Sequence, residues 1–300
     1  MGAKDITEKI LADYNDVFAD IVNGVLFDGQ QVVSEDALRN AKDKSQYKFN
    51  NRIHEQERDV NKHWIPHRIC FALYGFEHET DDDPFMPMRL IGYDGASYRG
   101  QLTKQEKDKP KYPVITIVLY FGTKRWNQPT SLYDCMKIPK KLKPFVNDYK
   151  INLVEVAFLD DKLDNFHSDF RIIAEYFVNK HRNTDYVPSP QEIRHVDEFL
   201  KLMQALEGDD RYMEVLHAWQ KEEKKEGLKM SEVLDRIENR GIAIGEKRGE
   251  KRGLDKMNQL VMILLEQNRI DDLKRAVSDQ SYQNRLMAEY GIDKKTNKKK

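Results

Sequence analysis

The hydrophobic pattern divides the chain into an N-terminal part that mixes helices with strands and a C-terminal part that is only helical. From Ile6 to Leu26, apolar residues recur every three to four positions with aspartates between them, which predicts an amphipathic helix. The polar stretch that follows, to about Asn61, has no clear period and predicts irregular structure. The near-continuous apolar run from Arg68 to Phe76 then predicts a strand that is buried on both faces.

Four further segments complete the N-terminal pattern. Residues 87–102 have helical spacing and a proline in the first turn, which predicts a second helix. Residues 112–121 and 153–159 are rich in β-branched residues and predict two more strands, and residues 167–182 predict another helix. The order helix, strand, helix, strand, strand, helix is typical of a mixed α/β domain, which we expect to span residues 1–187.

The C-terminal part shows only the helical period. No β-branched run follows Pro188, and Leu, Met and Ile recur at helical spacing among charged residues as far as Ile292. We therefore expect residues 188–292 to form an all-helical region that serves self-association or partner binding. Residues 293–300 contain five lysines and predict a disordered basic tail.

Four glycines in this helical region follow one another at intervals of four residues. They are Gly241, Gly245, Gly249 and Gly253. Two interpretations are open: a helix that packs its glycine strip closely against a partner, or a hinge between two helices. An apolar face follows the glycines, formed by Leu260, Ile263, Leu264 and Ile270. Because such a face is too large to leave exposed on a lone helix, we expect a homodimer through the C-terminal helices.

Composition narrows the classes of function. Hydrophobic residues make up 39% of the 300 residues, which is typical of folded globular proteins. Lys+Arg 50 nearly balance Asp+Glu 51, so any affinity for DNA depends on local basic patches. Cys70 and Cys135 are far apart, which argues against a disulfide framework and favours a reducing cytoplasm. With no signal segment and no apolar run of roughly 20 residues, we expect a soluble, cytoplasmic protein without a membrane segment.

The stretch LYGFEHET, residues 73–80, places two carboxylates around a histidine at the end of a predicted strand. Alternate residues of a strand share a face, so Glu77 and Glu79 point the same way and His78 points the other way. Asp59 lies eighteen positions before Glu77, a separation that allows a preceding hairpin strand to bring a third carboxylate alongside. Carboxylates of this kind suit Mg²⁺ or Mn²⁺, and such an ion favours phosphodiester hydrolysis.

Two other interpretations of these residues stay open. Acidic residues at a strand end are often only solvated, and this chain is 34% charged. A zinc site would use His63, His67 and His78, but Pro66 interrupts the first pair and no thiolate is at hand. The residue types therefore favour a hard cation over zinc.

Short motifs along most of the chain carry a resemblance to a known family. They are DVFADIVNG at 16–24, RDV at 58–60, GFEHET at 75–80, MPMR at 86–89 with YD at 93–94, and YPVITIVLY at 112–120. In this order they resemble the recombination-promoting nuclease / putative transposase family, which belongs to the PD-(D/E)xK nuclease superfamily. The Gly-Glu-Lys-Arg repeats and LLEQNRIDD at 264–272 are similar to the C-terminal helical half of these proteins.

The resemblance implies a fold and three roles. The fold is a PD-(D/E)xK (restriction-endonuclease-like) α/β core, with a mixed sheet flanked by helices. Asp59 becomes the motif aspartate on the first core strand and Glu77 the motif acid on the second. Glu79 departs from the pattern, because the superfamily has lysine there and the family often has glutamine. A glutamate at this position acts as a metal ligand or base, or it marks a decayed site.

Other residues receive supporting roles from the same resemblance. Arg89 of the next helix would supply a cation, with Tyr93 one turn further along the same face. The first helix often lends another acid in this superfamily, and the candidates here are Asp16 and Asp20. Three basic segments are expected to contact DNA phosphates: residues 104–111, 124–126 and 140–143.

The predicted function is Mg²⁺- or Mn²⁺-dependent hydrolysis of DNA phosphodiester bonds by an endonuclease. DNA is the expected substrate, and a homodimer through the C-terminal helices is the expected assembly. The alternative is a DNA-binding or regulatory relative whose nuclease site has decayed, with Glu79 as the mark of decay. A purely structural helical scaffold is a third interpretation.

Overall fold

A computed structural model describes residues 11–41, 45–49, 52–56, 60–76, 84–103, 108–222 and 227–292. The chain divides into two compact units, Met1–Leu234 and Asp235–Lys300. The first unit thus extends past residue 187, the predicted end of the α/β domain. Which segment carries activity is a separate matter, so the functional domains 1–187 and 188–292 stay predictions.

A mixed β-sheet forms the centre of the first unit. The strands before residue 160 are β1 (Leu38–Asn40), β2 (Ser45–Phe49), β3 (Arg52–Gln56), β4 (Val60–Trp64), β5 (Ile69–Phe76), β6 (Val114–Tyr120) and β7 (Asn152–Glu155). Five of them form one sheet in the order β1-β4-β5-β6-β7, while β2 and β3 form a separate hairpin. β4 is antiparallel to β1 and β5, whereas β5, β6 and β7 run parallel.

Helices flank this sheet and continue after it. They are α1 (Asn15–Leu26), α2 (Met86–Gly100), α3 (Leu132–Cys135), α4 (Asp169–Arg182), α5 (Val196–Glu207), α6 (Arg211–Gln220), α7 (Met230–Glu266), α8 (Ile270–Ser278) and α9 (Gln280–Glu289). Parallel strands need a crossover connection, and α2 supplies the one between β5 and β6. The mixed α/β class and the helical C-terminal region are therefore confirmed.

Most predicted elements appear where the hydrophobic pattern placed them. β5, α2, β6 and α4 agree with their predicted segments to within two residues at each end. The predicted first helix is interrupted at residues 13–14: residues 11–12 are helical and α1 runs from Asn15 to Leu26, while residues 1–10 lie outside the described part. The segment predicted as a strand over residues 153–159 is a strand only to Glu155, because residues 156–158 form a 3₁₀ turn.

The prediction of irregular structure up to Asn61 is wrong, because β1, β2, β3 and the start of β4 lie there. β1 lies at the edge of the sheet, and its Arg39 and Asn40 are exposed, so its polar composition hides the strand pattern. In β4, buried and half-buried residues do alternate, but the central buried residue is a lysine. Hydropathy alone therefore missed both strands.

Lys62 is that buried lysine, with 1% exposure. Its Nζ donates hydrogen bonds to the Asp13 carbonyl oxygen at 2.7 Å and to Asn40 Oδ1 at 2.7 Å. Nζ also lies 5.6 Å from the centroid of the Phe18 ring. Burial lowers the pKa of Lys62, and the nearby Asp13 carboxylate opposes that effect. Lys62 thus ties the start of the first helix to β1 and β4.

The second unit contains α8, α9 and most of α7 around a small apolar core. The buried residues of that core are Leu260, Leu264, Ala276, Leu286, Met287 and Ile292. The apolar face predicted to need a second copy is thus largely covered by α8 and α9 of the same chain, so the homodimer stays a prediction that this face does not support. α7 runs unbroken through the four glycines, which favours the helix interpretation over a hinge. Residues 245–255 of this helix are exposed throughout.

One small sheet interrupts the region predicted to be all-helical. β8 (Glu192–Ile193) and β9 (Leu228–Lys229) form an antiparallel pair of two residues each, which brackets α5 and α6. The basic segment 293–300 lies outside the described residues. Among the helices described, none combines the length and the apolar character that a membrane span requires.

Candidate active site

The acids of the predicted metal site, Asp59, Glu77 and Glu79, lie outside the described residues, as does His78. The structure does describe the strands that border them in the chain. Val60 begins β4, Phe76 ends β5, and Val60 is paired with Leu73 in the antiparallel ladder. The start of β4 and the end of β5 therefore lie at the same end of the sheet.

α2 follows the GFEHET segment and carries the predicted cation. Arg89 is exposed on α2, and Tyr93 is half-buried one turn further on. Tyr93 packs against a buried cluster formed by Met86, Leu90, Val118 and Ile151. Tyr93 is thus anchored in the helix-to-sheet packing, while Arg89 lies at the surface. Contact between Arg89 and the predicted acids stays a prediction.

A buried carboxylate on α2, Asp94, was given no role by sequence reasoning. It accepts hydrogen bonds from the Thr116 hydroxyl of β6 at 2.6 Å and from the Tyr149 hydroxyl at 2.6 Å. Asp94 is 6% exposed, so these bonds replace much of its hydration. The contacts fix α2 against β6 of the sheet. In the sequence, Asp94 was noticed only as part of the YD pair at Tyr93 and Asp94, one of the motifs of the family resemblance.

Asp20, one of the two first-helix acids, is engaged in a structural contact. Its carboxylate accepts the backbone N–H groups of His167 at 2.9 Å and Ser168 at 2.8 Å, and the Ser168 hydroxyl at 2.7 Å. Ser168 is the N-cap of α4, where a negative charge is favourable. Asp20 therefore holds the start of α4 against α1.

Asp16, the other candidate, binds the segment that follows β8. It accepts a hydrogen bond from Arg194 Nη1 at 2.8 Å, and its carboxylate oxygens lie 3.0 Å from His195 Nε2. The His195 ring stacks on Tyr14 with centroids 3.7 Å apart. Burial alone would raise the pKa of Asp16, but the bonds with His195 and Arg194 outweigh burial and hold the pKa below its usual value of 3.8.

Asp169 is a third acid in this part of the first unit, and sequence reasoning missed it. It is the first residue of α4, is 1% exposed, and accepts the backbone N–H groups of Arg194 at 2.9 Å and His195 at 2.7 Å. Burial raises the pKa of Asp169 despite these bonds. No motif surrounds it, so its role depends wholly on long-range contact.

In the basic segment 124–126, Arg125 and Trp126 contact other side chains of the first unit. Arg125 Nη1 pairs with Glu155 at 2.7 Å, and the Arg125 guanidinium lies 3.8 Å from the centroid of the Phe158 ring. Trp126 packs edge-on against Tyr120, with ring centroids 5.2 Å apart. Lys124 is exposed.

The other two basic segments differ in how much of them is described. Residues 104–107 lie outside the described part, and Lys111 donates to the Gln101 carbonyl oxygen at 2.6 Å. The three lysines of segment 140–143 are all exposed. The Nζ of one of them, Lys143, lies 4.7 Å from the centroid of the Tyr133 ring.

The two described histidines of the zinc alternative each pack against an aromatic ring. His63 meets Tyr112 edge-on with ring centroids 5.0 Å apart, and His67 lies 4.0 Å from Trp64. In the part of the chain that the structure describes, no group of three His, Cys, Asp or Glu side chains is placed to hold a metal ion. His78 lies outside that part, so a site that includes it is untested.

One comparison with known proteins, the match to a family model, agrees with the motifs. No curated protein and no solved structure is significantly similar to the chain. One family model matches residues 69–209, just under half of the chain, and its match includes Glu77, Glu79 and Arg89 but not Asp59. That family is described as "Putative transposase, YhgA-like", and the match confirms, over residues 69–209, the family resemblance that the sequence motifs predict.

Proposed function

We propose that the protein is a divalent-metal-dependent DNA endonuclease of the recombination-promoting nuclease type, with a PD-(D/E)xK-like core. The observation that carries the proposal is the antiparallel pairing of β4 with β5, because Asp59 directly precedes β4 and Glu77 directly follows β5. The chain therefore enters β4 from Asp59 and leaves β5 toward Glu77 at the same end of the sheet. The family match over residues 69–209 supports a role in nuclease- or transposase-like chemistry.

The residues have complementary roles in this proposal. Asp59, Glu77 and Glu79 offer hard oxygen donors, which is the donor set that Mg²⁺ or Mn²⁺ prefers. The bound ion would supply charge neutralisation at the phosphate and a water of lowered pKa. Glu79 would orient that water or add a ligand. Arg89, exposed on α2, would offset the negative charge of the DNA backbone.

The test is incubation of the purified protein with supercoiled plasmid in Mg²⁺, in Mn²⁺ or in EDTA. We expect nicking only with a divalent ion, and we expect Asp59→Ala and Glu77→Ala to abolish it. Both variants should unfold at the same or higher urea concentration, because removal of one clustered carboxylate relieves repulsion. The exposed Asp161, changed to Ala, is a control that should leave nicking intact. Cleavage by both variants at the parent rate would rule out the metal site.

The alternative is a DNA-binding relative whose nuclease site has decayed, and Glu79 is the residue that favours it. In the same plasmid assay, a decayed site predicts faster cleavage after Glu79→Gln or Glu79→Lys, because each change restores a side chain typical of the related proteins. A functional Glu79 predicts slower cleavage after both changes. Equal rates in all three proteins would mean that this side chain has neither role.

A further inference from the structure

Phe145 is an aromatic side chain held out in solvent. It is 82% exposed at the end of the 3₁₀ turn Lys143–Phe145. Burial of a phenylalanine side chain stabilises a protein by about 1.5–3 kcal/mol, which this position forgoes. Leu142 beside it is also exposed, at 54%. An aromatic ring displayed in this way is a candidate contact for a ligand with a flat apolar face.

The backbone around Phe145 is anchored on both sides. The Tyr133 hydroxyl lies 2.6 Å from the Val146 carbonyl oxygen and 3.1 Å from the Lys143 carbonyl oxygen. An isolated antiparallel bridge between Ser131 and Lys150 closes the base of the loop. We call residues 136–150 the basic loop. Because these contacts order its turn, the ring is displayed in advance of binding, which lowers the entropic cost of association.

Lysines precede the ring closely along the chain, and the acidic residue of the basic loop, Asp148, accepts a hydrogen bond from the Tyr133 N–H at 3.1 Å. Between Cys135 and Asn147 the chain has four lysines and no acidic residue. They are Lys137, Lys140, Lys141 and Lys143, and all four are exposed. None of the four makes an ion pair with any residue in the described part of the chain. Their charges are therefore available for an anionic ligand.

The basic loop lies beside the chain that leaves the candidate active site. The Cys135 thiol, directly before the loop, lies 3.4 Å from the Pro84 carbonyl oxygen. Pro84 is the first described residue after segment 77–83, which contains Glu77 and Glu79. The residue before the basic loop therefore contacts the chain seven positions after Glu77 and five after Glu79.

From these observations we infer that the basic loop binds DNA with unpaired bases, with Phe145 stacked on a base and the lysines on the flanking phosphates. The inference rests on the proposed function, because it names the form of DNA that the site takes. In a duplex the base faces are covered by their neighbours, so a displayed ring finds a stacking partner only where bases are unstacked. Every base has such a face, so the contact tolerates any sequence.

The test measures binding in EDTA by fluorescence anisotropy, with three probes of equal length: a single strand, a duplex and an abasic strand. We expect Phe145→Ala to weaken binding of the single strand by at least about fivefold, the lower end of the effect of one base stack. Binding of the duplex and of the abasic strand should stay unchanged, and Phe145→Tyr should retain parent affinity. Val187, also 82% exposed, gives the control Val187→Ala, which should bind like the parent.

Three results would overturn the inference. Equal binding of the single strand by Phe145→Ala and the parent would show that the ring makes no stack. An equal loss on all three probes would show a loss of charge placement or of loop order rather than stacking. Binding of phosphatidylserine vesicles that depends on Phe145, without an effect on single strands, would assign the loop to a lipid surface.

The assay separates this inference from the proposed function, because binding in EDTA does not require cleavage. If single-strand binding depends on Phe145 but the protein nicks no plasmid, the endonuclease proposal is wrong and the inference stands. If the protein nicks plasmid with a divalent metal but Phe145→Ala leaves single-strand binding unchanged, the endonuclease proposal stands and the inference is wrong.

Discussion

Asp94 shows how a single buried carboxylate positions a helix on the sheet. Its two oxygens accept hydroxyl groups from β6 and from the end of the basic loop, at Thr116 and Tyr149. Hydrogen bonds to an ionised group are stronger than neutral ones, and loss of the acceptor leaves polar groups in a dry environment. One side chain therefore couples α2, the sheet and the basic loop.

We expect Asp94→Ala to lower the free energy of unfolding by about 2–4 kcal/mol, because the buried Thr116 hydroxyl and the half-buried Tyr149 hydroxyl lose this acceptor. Urea unfolding followed by circular dichroism measures the change, and the exposed Asp161→Ala is the matched control. Tyr149→Phe should cost less in the Asp94→Ala background than in the parent, since the two residues share one bond. Strict additivity of the two substitutions would contradict the coupling.

The acids of α1 show the limit of residue-level prediction. The helical period correctly places Asp16 and Asp20 on α1, but it contains no information about their partners. The partners of Asp20, His167 and Ser168, lie 147 and 148 positions further along the chain. The partners of Asp16, Arg194 and His195, lie 178 and 179 positions further along. Partners so distant in sequence are chosen by the packing of α1 against α4 and the segment after β8.

At the scale of elements, the geometry of α7 favours a continuous helix over a hinge at the four glycines. Four glycines cost a helix about 1 kcal/mol each relative to alanine, yet the helix is continuous through them. A Cβ atom added at Gly245, Gly249 or Gly253 would meet no atom within 4 Å. These three glycines are therefore not required by packing among the described residues of this chain. In the proposed homodimer, a second copy of the chain would pack against this glycine strip.

Replacement of Gly245 and Gly249 by alanine separates the effect of glycine on helix stability from its effect on the proposed dimer. Helix propensity predicts that each change stabilises α7 by about 0.5–1 kcal/mol, because the added methyl groups meet no neighbour in the monomer. If the strip packs against a second copy, the same methyl groups weaken the dimer by about tenfold or more. Sedimentation measures the dimer constant, and thermal unfolding measures the gain.

Gly95 offers a matched control for this experiment. It lies within α2, and an added Cβ atom there also meets no atom within 4 Å. Gly95→Ala should therefore give the gain in helix stability without a change in the dimer constant. An unchanged dimer constant in the α7 variants would exclude the glycine strip as the dimer interface.

For the whole molecule, the boundary of the first unit decides where the chain can be cut. Segment 188–234 belongs to that unit, and Ile193, Phe199 and Leu200 within it are buried. Asp169 also depends on that segment, because it accepts the N–H groups of Arg194 and His195. Removal of the segment would leave a nearly fully buried carboxylate without two of its donors.

We expect a chain of residues 1–234 to unfold cooperatively and to sediment as a monomer, because the proposed dimer interface in α7 is removed. It should bind DNA more weakly than the full-length chain, since two linked sites gain avidity. A chain of residues 1–187 should unfold at a lower urea concentration or aggregate. Identical urea midpoints for the two fragments would contradict the boundary, and a monomeric full-length protein at micromolar concentration would contradict the dimer.

By itself, the sequence determined the local elements and the family resemblance. The strands at residues 69–76 and 114–120 and the helices at 86–100 and 169–182 follow from apolar period, because periodic burial acts on neighbouring residues. The family resemblance was likewise readable without a structure, and the family match confirmed it over residues 69–209.

Only the tertiary structure decided the contacts between distant residues. Lys62 reads as a polar residue at the end of a stretch predicted to be irregular up to about Asn61, yet it is buried in β4 because Asp13 and Asn40 supply its acceptors. Phe145 reads as an ordinary apolar residue, yet the turn around it leaves the ring in solvent. The physical reason is the same in both cases. The free energy of burying a side chain depends on which groups surround it, and those groups come from parts of the chain that no local pattern connects.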